Sequence, residues 1–248
     1  MIELQANGMT LPRAYHKALK LLLGYGVITD CSDWGCKQLE CGMTMHVSHP
    51  LAEPRISRLT ITGPAELQEY VMEMTDGIKD FEVDAGLWAY TYHQRMADQL
   101  GFIEAELKRN PSSRRAAVMI RTADDIGSAD PACLQHMQFF IREGRLDLDV
   151  LFRSNDAVKA TFMNAYALIE IQRRMAERLG VPVGEYTHRA NSFHCYEKDF
   201  DTLKGYVARM DGRDSGITYY YDGPDGWKED MDDAIPDILE RVEDLKRR

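Results

Sequence analysis

A chain of 248 residues, 44% of them hydrophobic and 28% charged, can bury most of the surface its unfolded form exposes, which predicts one α/β or α+β domain spanning 1–248. The formal charge of −10 excludes a broad basic footprint for nucleic acid. No run approaches the roughly 18 apolar residues of a membrane helix and no basic flank precedes an apolar N-terminal stretch, so a cytoplasmic protein with neither DNA nor a membrane as partner is expected.

Along the chain, LPRAYHKALKLLLG from Leu11 predicts an amphipathic helix, with Pro12 at its start and Gly24 just past its end. Leu39, Cys41, Met43, Met45 and Val47 alternate with more polar residues, the period of a half-buried strand over 38–47. A second helix is expected from Pro64 to about Asp76, carrying Glu66, Glu69 and Glu73, and a third from about Met96 to Arg109. Short strands follow at 116–120 and 137–141. REGR then separates MQFFI from LDLDVLF, which reads as a hairpin around Gly144. The run from about Ala160 to Leu179 predicts a buried helix closed by Gly180, and the acidic segment after Asp222 a short final helix.

Three segments carry chemistry. NPSSRRAAV at 110–118 sets Arg114 and Arg115 between a turn and a strand, a pattern that on physics alone is more often a solvated edge than a phosphate site. DPACLQHM at 130–137 places Cys133 at a strand entrance, where a lone cysteine is commonly a small buried hydrophobe. FRSND at 152–156 offers Arg153 and Ser154, a guanidinium and a hydroxyl suited to phosphate. The other cysteines, Cys31, Cys36, Cys41 and Cys195, form no C-x-x-C pair, so neither a disulfide framework nor a metal site is expected.

In this order the segments resemble the thymidylate synthase family, whose members carry N-P-x-S-R-R, then P-x-C at a nucleophile, then R-S-x-D. Cys133 and Arg153 stand 20 residues apart, similar to the family's spacing. The match runs on through Asn164 to GEYTHRANSFHCY at 184–196, ending in the His-x-Tyr of His194 and Tyr196. It covers about 110–200 well and the first hundred residues weakly.

The resemblance implies a three-layer fold around a large mixed, twisted sheet, and a homodimer with shared active sites. Cys133 would add to C6 of a pyrimidine nucleoside monophosphate, because C5 becomes a nucleophile only once C6 is attacked. Arg153 and Ser154 would hold the phosphate, with Arg153 favouring the thiolate, and Arg114 and Arg115 would reach it from the neighbouring subunit. Asn164 would read the uracil edge, where an Asp would favour cytosine. His194 and Tyr196 would hold the sugar hydroxyl, and Asp156 the pterin of 5,10-methylenetetrahydrofolate or a related tetrahydropterin. Glu66, with Glu69 one turn away, would be the acid–base glutamate, and Tyr92 would help relay protons near C5.

This chain departs from the pattern in three places. The loop TDCSDWGCKQLECG offers only Lys37 where the family has a phosphate arginine, Leu134 follows the nucleophile in place of histidine, and Phe152 stands in place of glutamine. The charged LKRR end is unlike the family's apolar closing tail. Water exclusion would decide between hydride, giving a methyl group, and water, giving hydroxymethyl. The charged end would favour water, yet methylation of dUMP to dTMP is expected first, because Asn164 suits uracil and synthases are the commoner branch, with C5 hydroxymethylation of a cytidylate or uridylate nearly level as the alternative. A non-catalytic nucleotide- or RNA-binding paralogue and a flavin-dependent synthase are the rival classes, the first disfavoured by the retained nucleophile and the second by its different motifs.

Overall fold

A computed structural model describes residues 1–212 and 216–247; Arg248, the last residue of the LKRR end, lies outside them. In chain order the elements are β1 (Glu3–Gly8), α1 (Leu11–Tyr25), β2 (Val27–Cys31), β3 (Cys36–Val47), β4 (Ile56–Ser57), α2 (Pro64–Asp76), α3 (Asp80–Asp84), α4 (Tyr92–Arg109) and β5 (Ala117–Met119). There follow β6 (Leu134–Arg142), β7 (Arg145–Asp156), α5 (Thr161–Leu179), β8 (Val183–Tyr196), α6 (Phe200–Asp211), β9 (Thr218–Tyr219), α7 (Trp227–Asp233) and α8 (Ile235–Lys246).

The main sheet runs β1-β3-β8-β7-β6-β5, with β2 pairing the other half of β3 beside β1. It is mixed: β1 is parallel to β3 and β7 to β8, while the β3–β8, β7–β6 and β6–β5 pairs are antiparallel. A parallel pair needs a long crossover, and the buried helix α5 supplies the one between β7 and β8. Alternation sets the two faces. Leu146, Leu148, Val150 and Phe152 of β7 are buried, whereas Asp147, Asp149, Leu151 and Arg153 between them keep some exposure.

Helix α1 packs on β1 and β3 through Ala14, Ala18, Leu19 and Leu22. At Gly8 a Cβ would stand 2.4 Å from the Ala14 nitrogen, so only glycine lets the end of β1 come this close to the helix. The Tyr15 hydroxyl donates to the Ala157 carbonyl at 2.9 Å and ties α1 to the turn entering α5. The β6–β7 hairpin turns on Glu143 and Gly144, both with positive φ, the two-residue geometry whose twist suits a hairpin. Gly24 lies inside α1 rather than past it, and Gly26 is the residue that closes the helix. Among the described residues no helix is long and apolar enough to cross a membrane.

Candidate active site

Cys133 occupies the bend before β6, where the start of that strand meets the end of β7: Leu134 pairs with Phe152, and Arg153 and Ser154 come next. The Arg153 backbone N–H donates to the Cys133 carbonyl at 2.8 Å. Its guanidinium donates to the carbonyls of Pro131 at 2.7 Å and Ala132 at 3.2 Å, so the arginine clamps the loop that ends in the cysteine. Asp130, exposed, lies 3.7 Å from the same guanidinium. On the opposite side Thr91 caps α4 by accepting from the Gln94 N–H, which fixes Tyr92 at the first helical position. There the Tyr92 hydroxyl accepts from the Leu134 N–H at 3.4 Å.

Burial pushes the Cys133 thiol above its ordinary value and Asp130 adds to the rise; Arg153 pulls it down without reversing it. Arg153 thus acts in the direction of the thiolate but is outweighed by burial. In the free protein its donors are engaged by loop carbonyls, and the sulfur is a neutral thiol at pH 7. Alkylation of Cys133 by iodoacetamide is accordingly expected to be slower at pH 7 than that of a free cysteine, rising about tenfold per pH unit through pH 9. Rapid, pH-independent alkylation would contradict this.

Strand β8 brings the next residues in register, Ser154 opposite Ser192 and Asp156 opposite His194. His194 Nδ1 donates to the Ser192 carbonyl at 3.3 Å and lies 3.4 Å from the Ser154 hydroxyl. Its Nε2 is then an acceptor, and among the described residues it is buried with no partner. Burial lowers the His194 pKa against the opposing pull of Asp156, which keeps that acceptor available. Asp156 Oδ1 accepts from the Val158 and Lys159 N–H groups at 2.9 Å each, stiffening the entry to α5. Asp156 also lines a cavity of about 340 Å³ with Trp34, Cys36, Lys159, Tyr196 and Lys198. Asn164, on the first turn of α5, accepts from the Tyr70 hydroxyl and donates to Asn155 at 3.3 Å.

Cys133 lies within electrostatic reach of Tyr70, Tyr90, Tyr92 and Tyr196. One chain thus gathers Cys133, Arg153, Ser154, Asn164, His194, Tyr196, Asp156 and Tyr92. Arg114 and Arg115 stand apart, exposed, on an open concavity of about 830 Å³ shared with Asn110 and Ser112. That concavity is larger than the cavities beside the cysteine, yet it holds none of the residues around Cys133.

The family model described as thymidylate synthase matches residues 68–218. The chain belongs to the thymidylate synthase family. It is 36% identical over 155 residues to a putative thymidylate synthase of Methanocaldococcus jannaschii, covering 58% of this chain and 69% of that protein. To a putative thymidylate synthase of Methanosarcina barkeri it is 30% identical over 208 residues, covering 80% and 92%. Its fold is similar to that of thermostable thymidylate synthase A from Bacillus subtilis, with a TM-score of 0.64 at 18% identity over 80% of this chain and 84% of that one. As a thymidylate synthase family member it is an enzyme of folate-dependent one-carbon transfer to C5 of a pyrimidine nucleotide.

Helix α2 of this thymidylate synthase fold presents its glutamates unequally. Glu66 is exposed in the first turn and lies outside the matched segment. Glu69 is paired with Lys79 at 3.0 Å and Arg241 at 2.8 Å. Glu73 lines a cavity of about 370 Å³ with Trp88, Tyr90, Tyr92 and Asp130, and it lies within electrostatic reach of Tyr70. Burial pushes its carboxyl up to about 7; Lys79 opposes this, and Glu69 and Asp80 add to it. Glu73 therefore shares a cavity with Tyr92 and Asp130, both of which touch the Cys133 loop or its clamping arginine. Tyr70 and Glu73 follow Glu66 at i+4 and i+7, and that shared face was the available signal.

Proposed function

We propose that this enzyme methylates dUMP to dTMP with 5,10-methylenetetrahydrofolate, or a related tetrahydropterin, as co-substrate. The observation that carries the reading is the set of groups that one chain offers with Cys133: the clamping arginine, the Asn164 amide and the His194 Nε2 acceptor, which has no partner among the described residues. Each meets a different part of a uridylate: phosphate, base edge and sugar hydroxyl.

In this reading the Cys133 sulfur forms a bond to C6, its proton passing to solvent or a neighbouring base, and the ring electrons move onto O4. Asn164 donates to that oxygen and accepts from N3–H. Bound folate supplies the carbon and, for methylation, the hydride. Glu73, whose carboxyl changes state near neutrality, exchanges protons at the base, and Tyr92 serves the proton leaving C5. Expulsion of the sulfur from C6 as a thiolate restores the ring, and a proton returned from solvent or the neighbouring base regenerates the thiol. Asp156, Trp34 and Tyr196 offer a polar and aromatic wall for the pterin. Product analysis with dUMP tests the reading: dTMP with one dihydrofolate per turnover supports it, and 5-hydroxymethyl-dUMP without dihydrofolate overturns it.

The separation of Arg114 and Arg115 from Cys133 supports a homodimer in which each chain completes its neighbour's phosphate site. Mixing inactive Cys133→Ser with inactive Arg115→Ala protein after subunit exchange should then restore about a quarter of wild-type activity, because half the dimers are mixed and each carries one intact site. A mixture that stays inactive while exchange is verified would exclude shared sites.

A further inference from the structure

Behind Asn164 lies a buried line of polar groups that the reaction scheme leaves unused. Asn164 Nδ2 donates to Asn155 Oδ1 at 3.3 Å, and the Thr161 hydroxyl lies 3.0 Å from the same oxygen and 2.9 Å from the Asp156 carbonyl, between which it shares its one proton. Asn155 Nδ2 lies 2.9 Å from His188 Nε2, and His188 Nδ1 lies 2.9 Å from the Tyr186 hydroxyl. Asn155, His188 and Tyr186 are all at least 97% buried, so water cannot substitute for a lost partner. His188 also stacks on Phe152, 4.7 Å between ring centroids and 15° between planes. Phe152 is one of the positions where the sequence departs from its family, and here it provides the flat wall against which the imidazole lies.

The chemistry of this line leaves little freedom. An amide nitrogen only donates, so His188 Nε2 must be the unprotonated nitrogen and Nδ1 must carry the hydrogen. Burial lowers the His188 pKa to about 3, so the ring is neutral at pH 7 and has one N–H to place. That tautomer points Asn155 Oδ1 at Asn164, which in turn holds Asn164 Nδ2 inward and leaves Oδ1 to the Tyr70 hydroxyl. Turning Asn164 over alone would press its oxygen against the Asn155 oxygen. The three groups can reverse only together.

We infer that Asn155 and His188 are positioning residues that lock the Asn164 amide in one orientation and thereby set the preference between uracil and cytosine. The two bases present opposite donor and acceptor patterns at N3 and the 4-position, so a free amide serves both by flipping and a locked one serves one. This inference rests on the reading of Asn164 as the base-edge residue.

The experiment compares tritium release from C5-labelled dUMP and dCMP by wild-type protein and by His188→Phe, which keeps the stacking on Phe152 and removes the acceptor. The dUMP-to-dCMP ratio of kcat/KM is expected to fall about tenfold in the variant, the value of one lost hydrogen-bond preference. A folded variant with an unchanged ratio overturns the lock. Wild-type protein that releases tritium from neither nucleotide would instead overturn the functional reading itself. Nitrogen-15 imidazole NMR of the wild type gives a test independent of the variant's folding: His188 is expected as the Nδ1–H tautomer at pH 7, and an Nε2–H tautomer or an imidazolium would refute the inference.

Discussion

Replacing Cys133 by serine is expected to lower turnover by about 10⁴-fold or more while leaving dUMP affinity within roughly threefold of wild type. The serine hydroxyl has nearly the same size and can occupy the same bend, but it is far less acidic and a harder nucleophile, so C6 is no longer attacked. The binding groups remain in place because none depends on the sulfur. Arg153 is held by the carbonyls of Pro131 and Ala132, Asn164 by Tyr70 and Asn155, and His194 by the Ser192 carbonyl. Steady-state rates and dUMP binding by calorimetry check this together. Retained turnover would remove Cys133 from the mechanism, and loss of binding with turnover would make its role one of shape.

The second large effect concerns Glu73. Glu73→Gln is expected to reduce kcat by about 10²- to 10³-fold, the contribution of a positioned acid–base group. It should also stabilise the protein at alkaline pH. Burial raises the folded-state carboxyl from 4.5 to about 7, so between these values the folded protein holds a proton that the unfolded chain has lost. Stability therefore falls as pH rises from about 4.5 to 7, and above 7 the full cost of a buried carboxylate is present, about 1–3 kcal/mol. Glutamine has no such cost. Its melting temperature should exceed the wild type's at pH 8 by about 2–4 °C per kcal/mol and match it near pH 4.5. Equal stability at both pH values, or full activity at pH 8, would show that Glu73 is an ordinary solvated side chain. The opposite signs of the two effects are what a group kept for chemistry at the expense of the fold should give.

How much of this was legible in the sequence follows from the range of the forces involved. The first helix, the strand of β3, the hairpin at Gly144 and the long helix α5 all announce themselves in local periodicity and turn residues, and each lies within a few residues of its expected place. The strand β1 and the helix α6 carry no comparable pattern. β1 is fixed by its parallel pairing with Gly42–Val47, a contact nearly forty residues away along the chain. The site divides in the same manner. Cys133, Arg153, Ser154 and Asn164 lie in motifs whose spacing is itself the signal, and the structure brings them together. Glu73 and Asn155 matter for what faces them across the fold, Tyr92 for the one and His188 for the other, and neither pair falls within a short window of sequence. The balance of burial against Arg153 at the thiol is equally non-local.

The most direct test of the central claim, that Cys133 attacks C6 and makes C5 exchange its hydrogen for a carbon, is tritium release from C5-labelled dUMP in the presence of methylenetetrahydrofolate. Release by the wild type that depends on the folate and disappears in Cys133→Ser is the predicted result. Release that persists in Cys133→Ser, or a wild type that releases nothing from labelled dUMP, would contradict it.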